Sequence, residues 1–130
     1  MTEAICYIPI SIGELYDKYT ILEIKQDKIK DPYKLQFIKK EIHHLKSHID
    51  QYNLDPEIQS TLKHINMILW DIEDNIREKE RLEQFDDEFI NLARQVYMTN
   101  DNRSKVKNQI NAIFNSALLD IKSYTKYSHI

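Results

Sequence analysis

Two sets of carboxylates are spaced for chemistry: Glu14 and Asp17, three residues apart, and Asp71, Asp74 and Glu78 at i, i+3 and i+7. Residues three and four apart share one face of a helix, so each set would present its oxygens together. Oxygen ligands of this kind suit Mg²⁺ or Mn²⁺, which makes Glu14, Asp17, Asp71 and Asp74 the candidate metal ligands. No cofactor is expected beyond such an ion. The other reading is structural. Glu14 closes a Ser-x-x-Glu capping box with Ser11, Asp17 lies on a solvated face, and short acidic patterns arise by chance among 21 acids.

Arginine is scarce, with four residues against fourteen lysines. Arg77, Arg94 and Arg103 are thereby marked as positions that want a planar, bidentate donor for carboxylate or phosphate. Glu73 and Arg77 are equally well spaced for a surface i,i+4 pair. Arg103 shares a helical stripe with Asn100 and is the strongest single candidate. It either neutralises an acid of the first or third helix or faces an anionic ligand in a cleft. Trp70 and Tyr97 flank apolar seams and read as large core pieces or as ligand platforms. His44 and His48 have the spacing of a zinc pair without a third ligand, and Cys6 has no recognisable catalytic partner.

Composition removes several classes. One cysteine in 130 residues leaves no intramolecular disulfide and no cysteine cluster. Gly13 is the only glycine, so there is no glycine-rich phosphate loop. The net charge of −3, with acids and bases interspersed, disfavours a nucleic-acid partner. No apolar run reaches the length of a membrane span, and the first residues lack the pattern of a signal peptide. The expectation is a single cytoplasmic domain (host cytoplasm if the source is viral) that does not engage a membrane.

The elements that must position these residues are helices. Residues 4–10 read as an extended arm or short edge strand, closed by Pro9. Ser11 then starts a first helix with Ile12, Leu15, Tyr19 and Leu22 on one face, ending at Asp31-Pro32. A second helix carries Leu35, Ile38, Ile42, Leu45, Ile49 and Tyr52, the seam of a coiled-coil-like packing. A third, from Pro56 to about Gln84, carries Ile58, Leu62, Ile65, Leu69, Ile72 and Ile76, after which its seam turns charged. A fourth begins after Asp86 with Phe89, Leu92 and Val96 and resumes at Val106, Ile110, Ile113 and Ala117. Thr99 to Arg103 either break it in two or form a polar layer within one long helix. The tail from Ile121 either docks on the bundle or stays loose. Short connections make this an antiparallel all-α bundle of about four helices, two of them long.

The segments Gly13-Glu14-Leu15-Tyr16-Asp17-Lys18-Tyr19-Thr20-Ile21-Leu22-Glu23-Ile24-Lys25 and Leu69-Trp70-Asp71-Ile72-Glu73-Asp74-Asn75-Ile76-Arg77-Glu78 carry a family resemblance. It continues through Phe89 to Tyr97, Asn100-Asp101-Asn102-Arg103 and Ile121 to Tyr124. Over nearly its whole length the chain resembles a small all-helical family of bacterial and viral proteins catalogued only as a domain of unknown function. Where that family's motif tends to an aliphatic residue, this chain has Tyr16 and Tyr19. The resemblance implies an architecture and a set of polar positions, and no activity. Those positions make up a candidate polar cleft: Glu14, Asp17, Lys18, Glu23, Lys25, Trp70, Glu73, Asp74, Arg77, Arg94, Tyr97, Asn100, Asp101 and Arg103.

Two functions of different class fit. One is a non-enzymatic, homodimeric interaction or scaffold protein whose long helices and polar layer select a protein partner. The other is a Mg- or Mn-dependent hydrolase or binding protein for a nucleotide or phosphate ligand, with acids holding the ion and arginines facing phosphate. The acidic pairs are similar in outline to those of all-helical nucleotide pyrophosphohydrolases.

Overall fold

Four short polar side chains punctuate the chain, and each starts a helix. Ser11, Asp31, Asp55 and Asp86 accept first-turn N–H groups through a side-chain oxygen, and Pro32 and Pro56 follow two of them where a missing N–H costs nothing. The computed structural model describes residues 3–127. Its helices are α1 (Ile12–Lys28), α2 (Pro32–Ile49), α3 (Pro56–Arg81) and α4 (Asp87–Ile113), with no strand among the described residues. The fold is all-α. The arm is extended but unpaired, tied to α2 by Glu3 and Lys40 at 2.7 Å.

Most of the expected seam positions turn inward, whereas Ile113 and Ala117 are exposed. Leu15, Tyr16, Ile49, Leu54, Leu62 and Ile110 form the buried cluster, with Ile10, Tyr52, Val106 and Phe114 packed against it. Burying a Leu or Ile side chain contributes about 1.5–3 kcal/mol, so this cluster is the main stabilising feature. α1 packs against all three other helices, whereas α2 packs on α1 alone and α3 with α4 makes the broadest pair. A central α1 explains why even its polar Asp17 and Thr20 are enclosed.

One boundary left open by the sequence is decided, and two expected helix ends change. α4 runs unbroken through Thr99 to Arg103, because that polar layer finds partners on α1 instead of water. It stops at Ile113 and does not reach Ala117. α3 stops at Arg81, short of Gln84. Both ends close with a left-handed residue, Glu83 at φ 54° and Asn115 at φ 51°. At α3 the Gln84 N–H donates to the Lys79 carbonyl and the Glu83 N–H to the Glu80 carbonyl, a Schellman closure. Asn tolerates this conformation and Glu does not, so Glu83→Gly is expected to stabilise the protein by about 1 kcal/mol. Urea unfolding of the two proteins checks it.

The charged end of the α3 seam meets polar partners. Lys79 sits 3.0 Å from both Asp86 and Glu88 across the turn, and hydrogen bonds to these acids hold its ammonium above the usual range. Yet no residue from 73 to 106 is fully buried. Buried positions of α3 end at Ile72 and those of α4 begin at Lys107. At about 1.5 Å per residue each helix is about 40 Å long, and over the stretch nearest the turn neither encloses a side chain fully.

Candidate functional site

The polar layer of α4 closes on a single carboxylate. Asp17 is 1 % exposed, and its Oδ1 accepts from Arg103 Nε at 2.8 Å and from Asn66 Nδ2 at 3.0 Å. Its Oδ2 accepts from Arg103 Nη2, which completes a bidentate fork. The same Asn66 amide reaches Thr20 Oγ1 at 3.1 Å, and the Thr20 hydroxyl donates to the Asp17 carbonyl at 3.0 Å. Three helices thus satisfy one buried charge. The Asp17 hydrogen bond holds the Arg103 guanidinium above its usual pKa, against the opposing pull of burial. Arg103 Nη1 keeps only a 3.4 Å contact to Asn100.

A second polar tier lies one turn further along α4. Lys107 Nζ, in a nearly enclosed side chain, stands 2.8 Å from Glu14 Oε2. Only half of the capping box therefore forms: Ser11 Oγ accepts from the Glu14 N–H at 3.0 Å, while the Glu14 carboxylate turns to Lys107. The Gly13 N–H donates to Asn111 Oδ1 at 2.6 Å, and Asn111 Nδ2 donates to Asn108. Asn108 in turn holds the tail. Its amide donates to the Asp120 carbonyl at 2.8 Å and accepts the Asp120 N–H at 3.0 Å. The tail docks, and Tyr127 meets Tyr97 edge-on at 5.1 Å.

Docking leaves a cavity of about 590 Å³ between α4 and the tail, lined among others by Tyr97, Asn100, Arg103, Asp120, Tyr124 and Tyr127. The volume suits a small ligand. Burial raises the Asp120 pKa, but the Ser104 hydroxyl, Lys107 and Lys122 outweigh it and hold the carboxyl below its ordinary value. Asp120 is therefore an ionised, acceptor-only group at neutral pH.

The structure brings together only part of the sequence-derived set. Asp17, Asn100 and Arg103 meet, with Tyr97 and Asp101 on the same cavity. Glu14 joins through Lys107. Glu23 is 3.9 Å from Lys63, Lys25 and Trp70 are half-buried, and Lys18 and Arg94 are exposed. Asp71, Glu73, Asp74 and Arg77 lie on the solvated face of α3, where Glu73 and Arg77 form the expected surface pair at 3.7 Å. Asp17 is not on a solvated face. Glu14, Asp17, Asp71 and Asp74 do not gather: two are paired with cations and two face solvent. Among the described residues no three His, Cys, Asp or Glu side chains are grouped to hold an ion.

Sequence reasoning missed Thr20, Asn66, Lys107, Asn108, Asn111 and Asp120. A signal existed for some of them: Asn100, Arg103, Lys107 and Asn111 step by three, four and four, a polar stripe that could have been followed beyond Arg103. His44, His48 and Cys6 border a second cavity, between the arm and α2.

A family model matches residues 6–129, and the chain belongs to the family of unknown function DUF6165. No curated protein and no solved structure matches it. No helix among the described residues is long and apolar enough to cross a membrane.

Proposed function

We propose that this chain is a non-catalytic interaction protein that works as a homodimer in the cytoplasm. The observation that carries the reading is the turn-proximal part of the α3–α4 hairpin, where no residue from 73 to 106 is fully buried. Two helices alone cannot enclose a seam, and Ile76, Phe89, Leu92 and Val96 are left half-covered, with Leu82, Phe85 and Ile90 exposed. A second hairpin would complete a four-helix arrangement.

Charge favours an antiparallel pairing. The turn end, Asp71 to Glu88, is rich in acids, whereas the exposed cations Arg94 and Lys105 lie beyond it along α4. Antiparallel hairpins place each acidic turn beside the partner's basic stretch. The site chemistry agrees, because Arg103 and Lys107 hold Asp17 and Glu14 and so serve the fold. A free, exposed Cys6 fits a reducing compartment.

Sedimentation equilibrium tests the reading. The expected result is twice the 15.6 kDa chain mass, falling toward monomer in high salt and in Ile90→Glu, with helical content retained. A monomer at every concentration, or a dimer indifferent to Ile90→Glu and Phe85→Glu, would overturn it.

A further inference from the structure

The arm is an extended strand without a sheet. Among the described residues its backbone from Ala4 to Ile8 pairs with no other backbone group, so a row of N–H and C=O groups is free to meet a second strand. Tyr7 is 73 % exposed and Ile8 68 %. Successive side chains of an extended chain point to opposite faces, so neither face of the arm is covered there. The charges that usually blunt such an edge are missing from residues 4–8, and Pro9 stands just beyond them. Between the arm and α2 opens an apolar groove of about 630 Å³, lined among others by Phe37, Leu45 and Tyr52.

The order of residues in the arm selects its partner. Pro9 has no N–H to give, which ends a ladder at Ile8, and Glu3 is engaged by Lys40. The five residues between them are centred on Cys6. Antiparallel pairing of two copies about Cys6 sets Ile5 opposite the partner's Tyr7, a β-branched residue against an aromatic one, and Ala4 opposite the partner's Ile8. A slip of one residue either sets Glu3 against the partner's Ile8 or draws Pro9 into the ladder, so the register is specified. Two-fold symmetry makes each of these contacts twice. We propose that the arm is a self-pairing strand, which joins two copies of this chain in an antiparallel ribbon centred on Cys6 while the groove on α2 receives side chains of the added strand. A short two-stranded ribbon is marginal in water, so the contact is weak: it bridges copies that another interface has made dimeric, and between monomers it forms only transiently. It is a second self-contact, beyond the hairpin reading and independent of it.

The test is oxidation of the full chain carrying Ile90→Glu, which lacks the hairpin contact, followed by non-reducing electrophoresis. Directly opposite residues of an antiparallel pair have Cα atoms about 4.5–5.5 Å apart, within the span of a disulfide. Expected with diamide is a dimer linked through Cys6, lost in the double substitution Ile5→Lys, Tyr7→Lys, which sets like charges opposite each other and leaves the melting temperature unchanged. With Cys6→Ser added, a chain carrying Ile5→Cys should link to one carrying Tyr7→Cys and neither to itself, since like positions then lie about 7–8 Å apart on the diagonal. No link at Cys6 would overturn the proposal. Equal linkage in every mixture, the mark of random collision, would also overturn it and leave the arm to a different partner.

Discussion

Asp17→Asn is expected to lower the unfolding free energy by about 3–5 kcal/mol, the range found when one partner of a buried ion pair is removed. The substitution keeps volume and shape, so packing does not explain the loss. It replaces one oxygen of a carboxylate that accepts from both Arg103 and Asn66 with a donor that faces their N–H groups. Arg103 is then left 28 % exposed with its charge uncompensated. Arg103→Lys should cost nearly as much, because a single ammonium cannot reproduce the fork that meets both Asp17 oxygens. Urea unfolding at neutral pH, with an unchanged denaturant slope, measures both. A loss below about 1 kcal/mol would mean that water replaces the pair without penalty, as at an exposed salt bridge.

Gly13→Ala is expected to cost about 3 kcal/mol, although alanine is the better helix former. A Cβ at this position would collide with the Lys107 carbonyl oxygen and lie 2.8 Å from its carbon and 2.9 Å from Asn111 Oδ1. Two of these atoms are α4 backbone, and the third is fixed by its hydrogen bond to the Gly13 N–H, so none can move aside cheaply. Overpacking a tight contact costs about 1–3 kcal/mol, and moving α1 away would also lose that hydrogen bond. The gain in helix propensity, at most about 1 kcal/mol, does not offset this. Thermal and urea unfolding check the value, and Gly13→Ser should fare no better, because the obstruction is to any Cβ.

Both substitutions act where α1 crosses α4, and this crossing also sets the candidate site. Gly13 lets the two backbones approach, Asp17 fixes Arg103, and Glu14 fixes Lys107. From there Asn108 carries the order to the tail and so to the cavity. A buried polar layer of this sort can also select one register among several apolar packings, which is what a helical assembly protein requires.

What the sequence determined by itself is local. Helix starts were legible in Ser11, Asp31-Pro32, Asp55-Pro56 and Asp86, because a cap bonds to N–H groups two or three residues away. The apolar seams were legible because a helix turns every 3.6 residues, whatever its neighbours are. Tertiary structure decided which helix is central, and with it the burial of Asp17 and Thr20, since α1 packs against all three other helices. It decided that Thr99 to Arg103 stay helical, because weak local propensity yields to an ion pair made 86 residues away in the chain. It likewise decided the use of the only glycine, the partner of Glu14 and the docking of the tail on Asn108. Each of these depends on where two distant segments meet, and spacing along one segment carries no information about that.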